Sequence, residues 1–251
     1  MADYLNLTNK RIMIAGVATG IGKTTAILLS ELGADLILLD INVKELNETM
    51  ALLKPGQHFS FPVDLSDILN IEKKVNGIID ISGSLDGFVY CVGIRSRRPL
   101  RMITPKVLSE VINLNFGAFL ELTRCITKKN NFNSELSIVG ISSIAASRGG
   151  AGVTAYAASK GAMESAVRCL AKEMAPKKIR INTVVPAQTN TPAYTALQNM
   201  AAADEDAILA RQYLGLGEPL DVANVIAFLL SANSRLITGS AIPVDGGFLT
   251  S

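Results

Sequence analysis

Arg11-Ile12-Met13-Ile14-Ala15 runs directly into Gly16-Val17-Ala18-Thr19-Gly20-Ile21-Gly22, and a stretch of helical period follows. A short apolar strand, a glycine-rich turn and a helix in that order present free backbone N–H groups to a pyrophosphate. Glycine is needed there because a side chain would block the close approach of phosphate or would not tolerate the dihedral. Gly22-Lys23-Thr24 imitates the end of a nucleoside-triphosphate loop, but that motif requires glycine five positions before Gly22, where Val17 stands. The Gly-x-Gly-x-x-Gly spacing fails as well, because three residues separate Gly16 from Gly20.

Outward from this turn, short apolar runs alternate with segments of helical period almost to the C-terminus. The strands are expected at Arg11–Ala15, Asp35–Leu39, His58–Val63, Gly87–Cys91, Leu136–Ile141, Arg180–Val184 and Ala241–Val244. Such alternation predicts an α/β fold, a seven-stranded parallel doubly wound sheet with helices on both faces. Thr104-Pro105 and Thr191-Pro192 each set a capping hydroxyl before a proline at a first helical position. No Ser/Gly linker, repeat or low-complexity tract offers a boundary, so residues 1–251 read as one domain. Gln188–Leu214 breaks the rhythm: rich in Ala and holding the acidic Asp204-Glu205-Asp206, it reads either as a substrate-loop lid or as a surface helix pair.

Composition narrows the partners. With 24 Lys+Arg against 22 Asp+Glu, the net charge of +2 provides no field of one sign to steer nucleic acid or an acidic membrane. Hydrophobic residues at 49% and charged residues at 18% suit a buried core and not a disordered chain. Cys91, Cys125 and Cys169 are odd in number and form no Cys-x-x-Cys pair, so no disulfide framework or thiolate metal site is expected. The opening MADYLNLTNKR lacks the apolar core of a secretory signal, and no run nears the ~18 apolar residues of a spanning helix. A cytoplasmic location is expected. One histidine, His58, argues against histidine-based metal or triad chemistry.

Eighteen residues after Gly22, the second strand ends in Leu38-Leu39-Asp40, where a carboxylate can accept hydrogen bonds from both adenosine ribose hydroxyls. It would repel the extra phosphate of NADP(H), and Thr19, Ile41 and Asn42 stand where Arg or Lys would receive that phosphate; NAD(H) is therefore preferred over NADP(H). The alternative is that Asp40 only caps the next helix. Asp64, after Pro62-Val63 and before Leu65, is placed either to meet the adenine amino group or to cap a helix starting near Asp67.

Tyr156 and Lys160 lie four apart in Thr154-Ala155-Tyr156-Ala157-Ala158-Ser159-Lys160, on one helix face. A phenol of pKa about 10 is a poor base at neutral pH unless a cation stabilises the phenolate; Lys160 supplies one. Thirteen residues before Tyr156, Ser143 lies just past an apolar strand, where its hydroxyl can hold a substrate oxygen beside the tyrosine.

With these residues in this order, the chain resembles the short-chain dehydrogenase/reductase family, NAD(P)-dependent oxidoreductases built on one Rossmann domain, from Lys10 to about Gly247. The resemblance implies that Tyr156 is the general acid/base, that Ser143 orients the reacting oxygen, and that Lys160 lowers the Tyr156 pKa and binds the nicotinamide ribose. It implies that Asn115, or Asn113 if the register slips, holds a water linking Lys160 to solvent. Gly16, Thr19, Gly20, Ile21, Gly22, Asp40, Asp64, Leu65, Gly93, Tyr156 and Lys160 would meet the cofactor, Gly93 by letting backbone pass close to the adenosine ribose. Val184, Thr189 and Thr191 would meet its carboxamide, with Ala187 where the family has glycine. Gly217-Glu218-Pro219 and Val244-Asp245-Gly246-Gly247 match the family's scaffold and subunit contacts, and a homo-oligomer is implied. One departure is larger: Tyr90-Cys91-Val92-Gly93 stands where the family has Asn-Asn-Ala-Gly, which implies altered local stability more than lost catalysis.

The expected reaction interconverts a secondary alcohol and a ketone. The alternatives are a 3-oxoacyl-thioester reductase and a non-catalytic dinucleotide-binding protein of the same fold. Arg95-Ser96-Arg97-Arg98 follows the fourth strand, at the sheet edge where ligands bind; with Arg148 these arginines either hold an anionic substrate or form a solvated basic loop.

Overall fold

The computed structural model describes residues 4–196 and 209–250. Seven parallel strands form one sheet: β1 (Arg11–Ala15), β2 (Asp35–Asp40), β3 (Phe59–Pro62), β4 (Leu85–Tyr90), β5 (Phe132–Ile141), β6 (Ile179–Pro186) and β7 (Ala241–Val244). Their spatial order is β3-β2-β1-β4-β5-β6-β7. The chain reverses its direction of winding between β1 and β4, and in open α/β sheets the crevice beyond the strand ends at such a point receives the ligand.

All seven expected strands exist, β1 and β7 with the expected bounds and the other five with moved ends. β5 starts four residues earlier than expected, because Leu85 of β4 pairs with Phe132 across a register shift before regular pairing resumes at Gly87 and Ser137. β6 runs on to Pro186, which pairs with Val244 at the end of β7. Main-chain hydrogen bonding thus carries polar residues into strands that side-chain hydropathy alone would end sooner.

Helices cover both faces: α1 (Gly20–Glu31), α2 (Val43–Met50), α3 (Ile71–Ser82), α4 (Pro105–Ile112), α5 (Ala118–Ile126), α6 (Ala145–Arg148), α7 (Thr154–Met174) and α8 (Pro219–Leu230). The period-two alternation of the strands divides the core in two. Met13 and Ala15 of β1 join Phe88 and Tyr90 of β4 under α3, α5 and α7. Ile12 and Ile14 face the other way, with Val89, Val139 and Val184, under α1 and α8.

Local chemistry sets the helix ends. Thr104 Oγ1 accepts from Val107 N–H at 3.3 Å, with Pro105 in the first turn of α4. Thr191 Oγ1 accepts from Tyr194 N–H at 3.2 Å at the head of the helical segment 192–196. His58 is structural: Nδ1 accepts from Leu36 N–H at 3.1 Å and Nε2 faces the Lys54 carbonyl at 2.8 Å, joining the approach to β3 to its neighbour β2. Gln212 ties the base of the Gln188–Leu214 segment, its Oε1 accepting from Gln188 N–H at 3.1 Å and its Nε2 donating to Gln188 O at 3.0 Å. Residues 197–208, including Asp204-Glu205-Asp206, lie outside the described residues. Among the described residues no helix is long and apolar enough to cross a membrane.

Candidate functional site

A cleft of about 1110 Å³ opens beyond the C-terminal ends of the strands. The glycine turn forms its floor. Gly16 and Gly20 have φ of +87° and +55°, which side-chain-bearing residues rarely adopt. At Gly22 a Cβ would lie 1.8 Å from the Gly16 carbonyl oxygen, so helix α1 can start this close to β1 only with hydrogen there. Thr19, the N-cap of α1, makes no side-chain cap bond, and the first turn of α1 holds no acidic residue. The first N–H groups of α1 thus lie where a phosphate can take them, and the turn fits a dinucleotide. Lys23 is not on the cleft wall, which removes the triphosphate-loop reading a second time.

Asp40, at the end of β2, lines the cleft. Its Oδ2 accepts from Ala18 N–H at 2.8 Å and its Oδ1 from Asn42 N–H at 3.0 Å, so one carboxylate braces the glycine turn against the next loop. It is not the helix cap: the Asn42 side chain caps α2, accepting from Glu45 N–H at 3.3 Å. Asp64 Oδ1 accepts from both the backbone N–H and the hydroxyl of Ser66, at 2.8 and 2.7 Å, and these bonds lower its pKa. Asp64 therefore closes its own turn on the cleft wall instead of capping a helix. Thr19, Ile21, Leu65, Gly93, Thr189 and Thr191 line the same cleft. Val184 does not. It is fully buried in the core under α1 and α8, because its parity in β6 turns it into the sheet face, and the carboxamide contact expected of it is withdrawn.

Ser143, Tyr156 and Lys160 converge on the other end of the cleft. Ser143 follows β5, while Tyr156 and Lys160 sit one turn apart near the start of α7. The Ser143 hydroxyl faces the Tyr156 phenol closely enough to lower its pKa. Lys160 Nζ lies 5.8 Å from the Tyr156 ring centre and donates to the Ile141 carbonyl at 2.7 Å. Burial raises the Tyr156 phenol above its ordinary value, opposed by Ser143 and by the Arg95 guanidinium. Arg95 is thus a second cation on the Tyr156 side of the cleft, one that the sequence reading did not name beside Lys160. Burial lowers Lys160 to about 8, and Cys91 partly offsets this. Burial pushes the Cys91 thiol up to about 12, which leaves it a poor nucleophile.

Asn115 is wholly buried, whereas Asn113 pairs with Ser109 Oγ at 3.1 Å on the outer side of the helix. Asn115 sits in a π-helical turn, Asn113–Gly117, of the kind often found at functional sites. Its Oδ1 accepts from Ile94 N–H at 2.8 Å, and its Nδ2 donates to Ile94 O and Ser159 Oγ, both at 3.0 Å. Both amide hydrogens are committed, so the side chain keeps only spare accepting capacity on Oδ1 for a water. A Cβ at Gly93 would lie 3.3 Å from Asn115 Oδ1 and 3.4 Å from Lys160 Nζ. Gly93 is therefore the spacer between Asn115 and Lys160, a contact that its expected place beside a ribose did not foresee.

Tyr90 replaces the family's strand-tying asparagine with a different tie. It is completely buried between Phe88 and Phe119, at centroid distances of 6.3 and 5.7 Å, and its hydroxyl donates to the Leu114 carbonyl inside the π-turn. Sequence reading also missed Tyr194, Arg211 and Phe248 on the cleft wall. Phe248 follows the Gly246-Gly247 pair, both with positive φ, and no local spacing signals that this turn delivers a ring to the cleft.

Over residues 16–249 the chain matches the model of a family described as enoyl-(acyl carrier protein) reductase. The 3-oxoacyl-(acyl-carrier-protein) reductase of Thermotoga maritima is 32% identical over 248 residues, covering 98% of this chain and 100% of that protein. The L-xylulose reductase of Mus musculus is 30% identical, with 98% of each chain covered. A solved structure titled short-chain dehydrogenase/reductase, glucose/ribitol dehydrogenase, from Brucella melitensis matches with a TM-score of 0.88 at 31% identity, covering 96% of this chain and 97% of that one.

Two measurements test this geometry. Tyr90→Phe keeps the ring and leaves the Leu114 carbonyl without its donor, so urea denaturation should show a loss of ~1–3 kcal/mol; a change below ~0.5 kcal/mol would mean that the carbonyl is satisfied otherwise. Lys160 gives a pH signature. In the folded chain it loses its proton near 8, whereas the unfolded chain holds it to 10.5. The unfolded state binds more protons between those values, so the stability of the wild type relative to Lys160→Met should rise with pH. From about pH 8 to about pH 9.5 the rise should be on the order of 1–2 kcal/mol, and a difference independent of pH would contradict burial of the ammonium.

Proposed function

Because the chain belongs to the short-chain dehydrogenase/reductase family, whose members are NAD(P)(H)-dependent oxidoreductases, we propose that it interconverts a secondary alcohol and a ketone, with NAD(H) preferred and Tyr156 as general acid/base. The observation that carries this reading is the convergence of Ser143, Tyr156 and Lys160 at one end of the cleft whose other end is the glycine turn.

When bound, the dinucleotide supplies or accepts the hydride at its nicotinamide ring. The residues that would hold it are the N–H groups at the head of α1 for the pyrophosphate, Asp40 for the adenosine ribose, and Thr189 and Thr191 for the carboxamide. Asp64 and Leu65 would flank the adenine, and Lys160 would meet the nicotinamide ribose. In the reductive direction Tyr156 O–H gives its proton to the forming alkoxide while the Ser143 hydroxyl donates a hydrogen bond to the same oxygen. In the oxidative direction the phenolate must form first. Ser143 and Arg95 favour it and burial opposes it. Lys160 is held in place by the Ile141 carbonyl, and Asn115 holds the Ile94 backbone beside it. A water on the remaining accepting capacity of Asn115 or on its main chain would complete the proton path to solvent.

The cofactor preference rests on charge. The only charged side chains lining the cleft near β2 and β3, among the described residues, are the carboxylates Asp40 and Asp64. A 2′-phosphate placed there would be repelled and would find no cationic partner. One unit then binds both cofactor and substrate, the latter recognised by loops such as Arg95–Arg98 and Gln188–Leu214. A cytoplasmic homo-oligomer is the assembly that goes with this reading, and Cys91, Cys125 and Cys169 are all unpaired thiols.

The second reading, a 3-oxoacyl-thioester reductase, is favoured by the identity to the Thermotoga maritima enzyme. A non-catalytic binding protein would have no chemical need for Ser143, Tyr156, Lys160 and Asn115 together. Oxidation of NADH in the presence of ketones, sugars and an acetoacetyl thioester separates the three readings.

Tyr156→Phe should lower turnover at least ~100-fold while leaving NADH affinity nearly unchanged; wild-type turnover in this variant would sink the mechanism. NADH should bind more tightly than NADPH in fluorescence titration, and Asp40→Ala should narrow the gap. Equal affinities in the wild type would overturn the preference.

A further inference from the structure

We propose that the substrate of this enzyme carries an anionic group a short linker away from its carbonyl, and that Arg95 is the side chain that receives it. The proposal rests on the reading of Ser143 and Tyr156 as the carbonyl-binding pair.

Charge in the cleft is segregated by end. Carboxylates line the end near β2 and β3. Around Ser143 and Tyr156 the charged lining side chains, apart from Lys160, are Arg95, Arg97, Arg148 and Arg211, with no carboxylate among the described lining residues. Guanidinium groups facing this volume attract an anion, and Arg95, which has no ion-pair partner among the described residues, does so without a competing carboxylate. Each is also a planar donor fork that matches a carboxylate or phosphate in geometry.

The arginines sit on a built surface instead of a loose loop. Arg98 N–H donates to the Gly152 carbonyl at 2.6 Å, which fastens the segment after β4 to the turn just before α7 and Tyr156. Gly152 has φ +77°, and a Cβ there would lie 3.3 Å from Arg97 Cγ, so the two segments meet closely. Arg148 ends α6, which begins two residues after Ser143. The Arg211 guanidinium lies 4.7 Å from the centre of the Phe248 ring. These three are engaged with neighbours. Arg95 makes no hydrogen bond or ion pair among the described residues and is exposed on the cleft wall, so its fork is available to a ligand. It is near enough to Tyr156 to favour the phenolate, which places a bound anion close to the reacting carbonyl.

Three probes share one ketone and differ in charge: acetoacetate, its methyl ester and 2-oxopropylphosphonate. With NADH and the full-length protein, at least one of the two anions should show a kcat/KM at least ~10-fold above the ester, and the better anion reports whether the group is a carboxylate or a phosphate. Arg95→Gln should collapse that ratio toward one, chiefly through the KM of the anion. A wild-type ratio near one, or an equal loss for anion and ester in Arg95→Gln, would overturn the proposal. Calorimetric titration of the NADH-loaded Tyr156→Phe variant with the same probes reads binding without turnover. Preferential binding of an anion, lost on adding Arg95→Gln, supports Arg95 even if none of the probes is reduced; equal binding of anion and ester overturns it. The two readings fail separately: turnover that survives in Tyr156→Phe removes the mechanism, whereas loss of charge discrimination alone removes the role of Arg95.

Discussion

Everything in this molecule depends on how closely one helix end approaches one strand end. A Cβ at Gly22 would overlap the carbonyl oxygen of Gly16, so α1 can begin where it does only because hydrogen stands at that position. That approach aims the first N–H groups of α1 beyond the end of β1, at the point where the winding of the sheet reverses. Asp40 keeps the arrangement from opening: its carboxylate crosses from β2 to the Ala18 N–H in the middle of the turn. The same group that would select the ribose therefore also holds the loop under the phosphates, so a substitution there changes two things at once.

At the other end of the cleft, burial and polarity are balanced against each other. Lys160 is buried and Tyr156 partly so, which lowers the ammonium and raises the phenol. Withdrawal of this kind leaves the two groups responsive to small changes in nearby charge, the condition under which acid/base residues are tuned. Behind them, the main chain makes the connections. Ile141 receives the Lys160 ammonium, and Ile94 engages both sides of the Asn115 amide. Tyr90 reaches from β4 into the same π-turn through Leu114. The chain thus lacks the family's asparagine at this place and joins strand to helix by a buried phenol, packed on Phe88 and Phe119.

Legibility in the sequence followed the range of the interactions involved. The strands were readable because alternation within five or six residues is a local property, and β1 and β7 came out with their full bounds. β5 did not: its first residue, Phe132, pairs with Leu85 of β4 ahead of a register shift, which no local hydropathy reports. Asn115 and Asn113 are two residues apart and chemically identical, and only the packing of the π-turn makes one buried and the other exposed. Val184 was misplaced for a similar reason, since the parity of β6 against both sheet faces is set by its neighbours and not by its own sequence.

The sequence by itself determined the parallel α/β architecture, the glycine turn between β1 and α1 and the order of Ser143, Tyr156 and Lys160, because each depends on spacing along one strand, turn or helix. Only the tertiary structure decided that Asp40 braces the turn instead of capping a helix and that Arg95 comes near enough to Tyr156 to act on it beside Lys160. It alone brought Arg211 and Phe248 to the cleft. Those facts concern groups far apart in the chain, and the distances that govern their electrostatics and hydrogen bonds exist only after the sheet has closed its two cores.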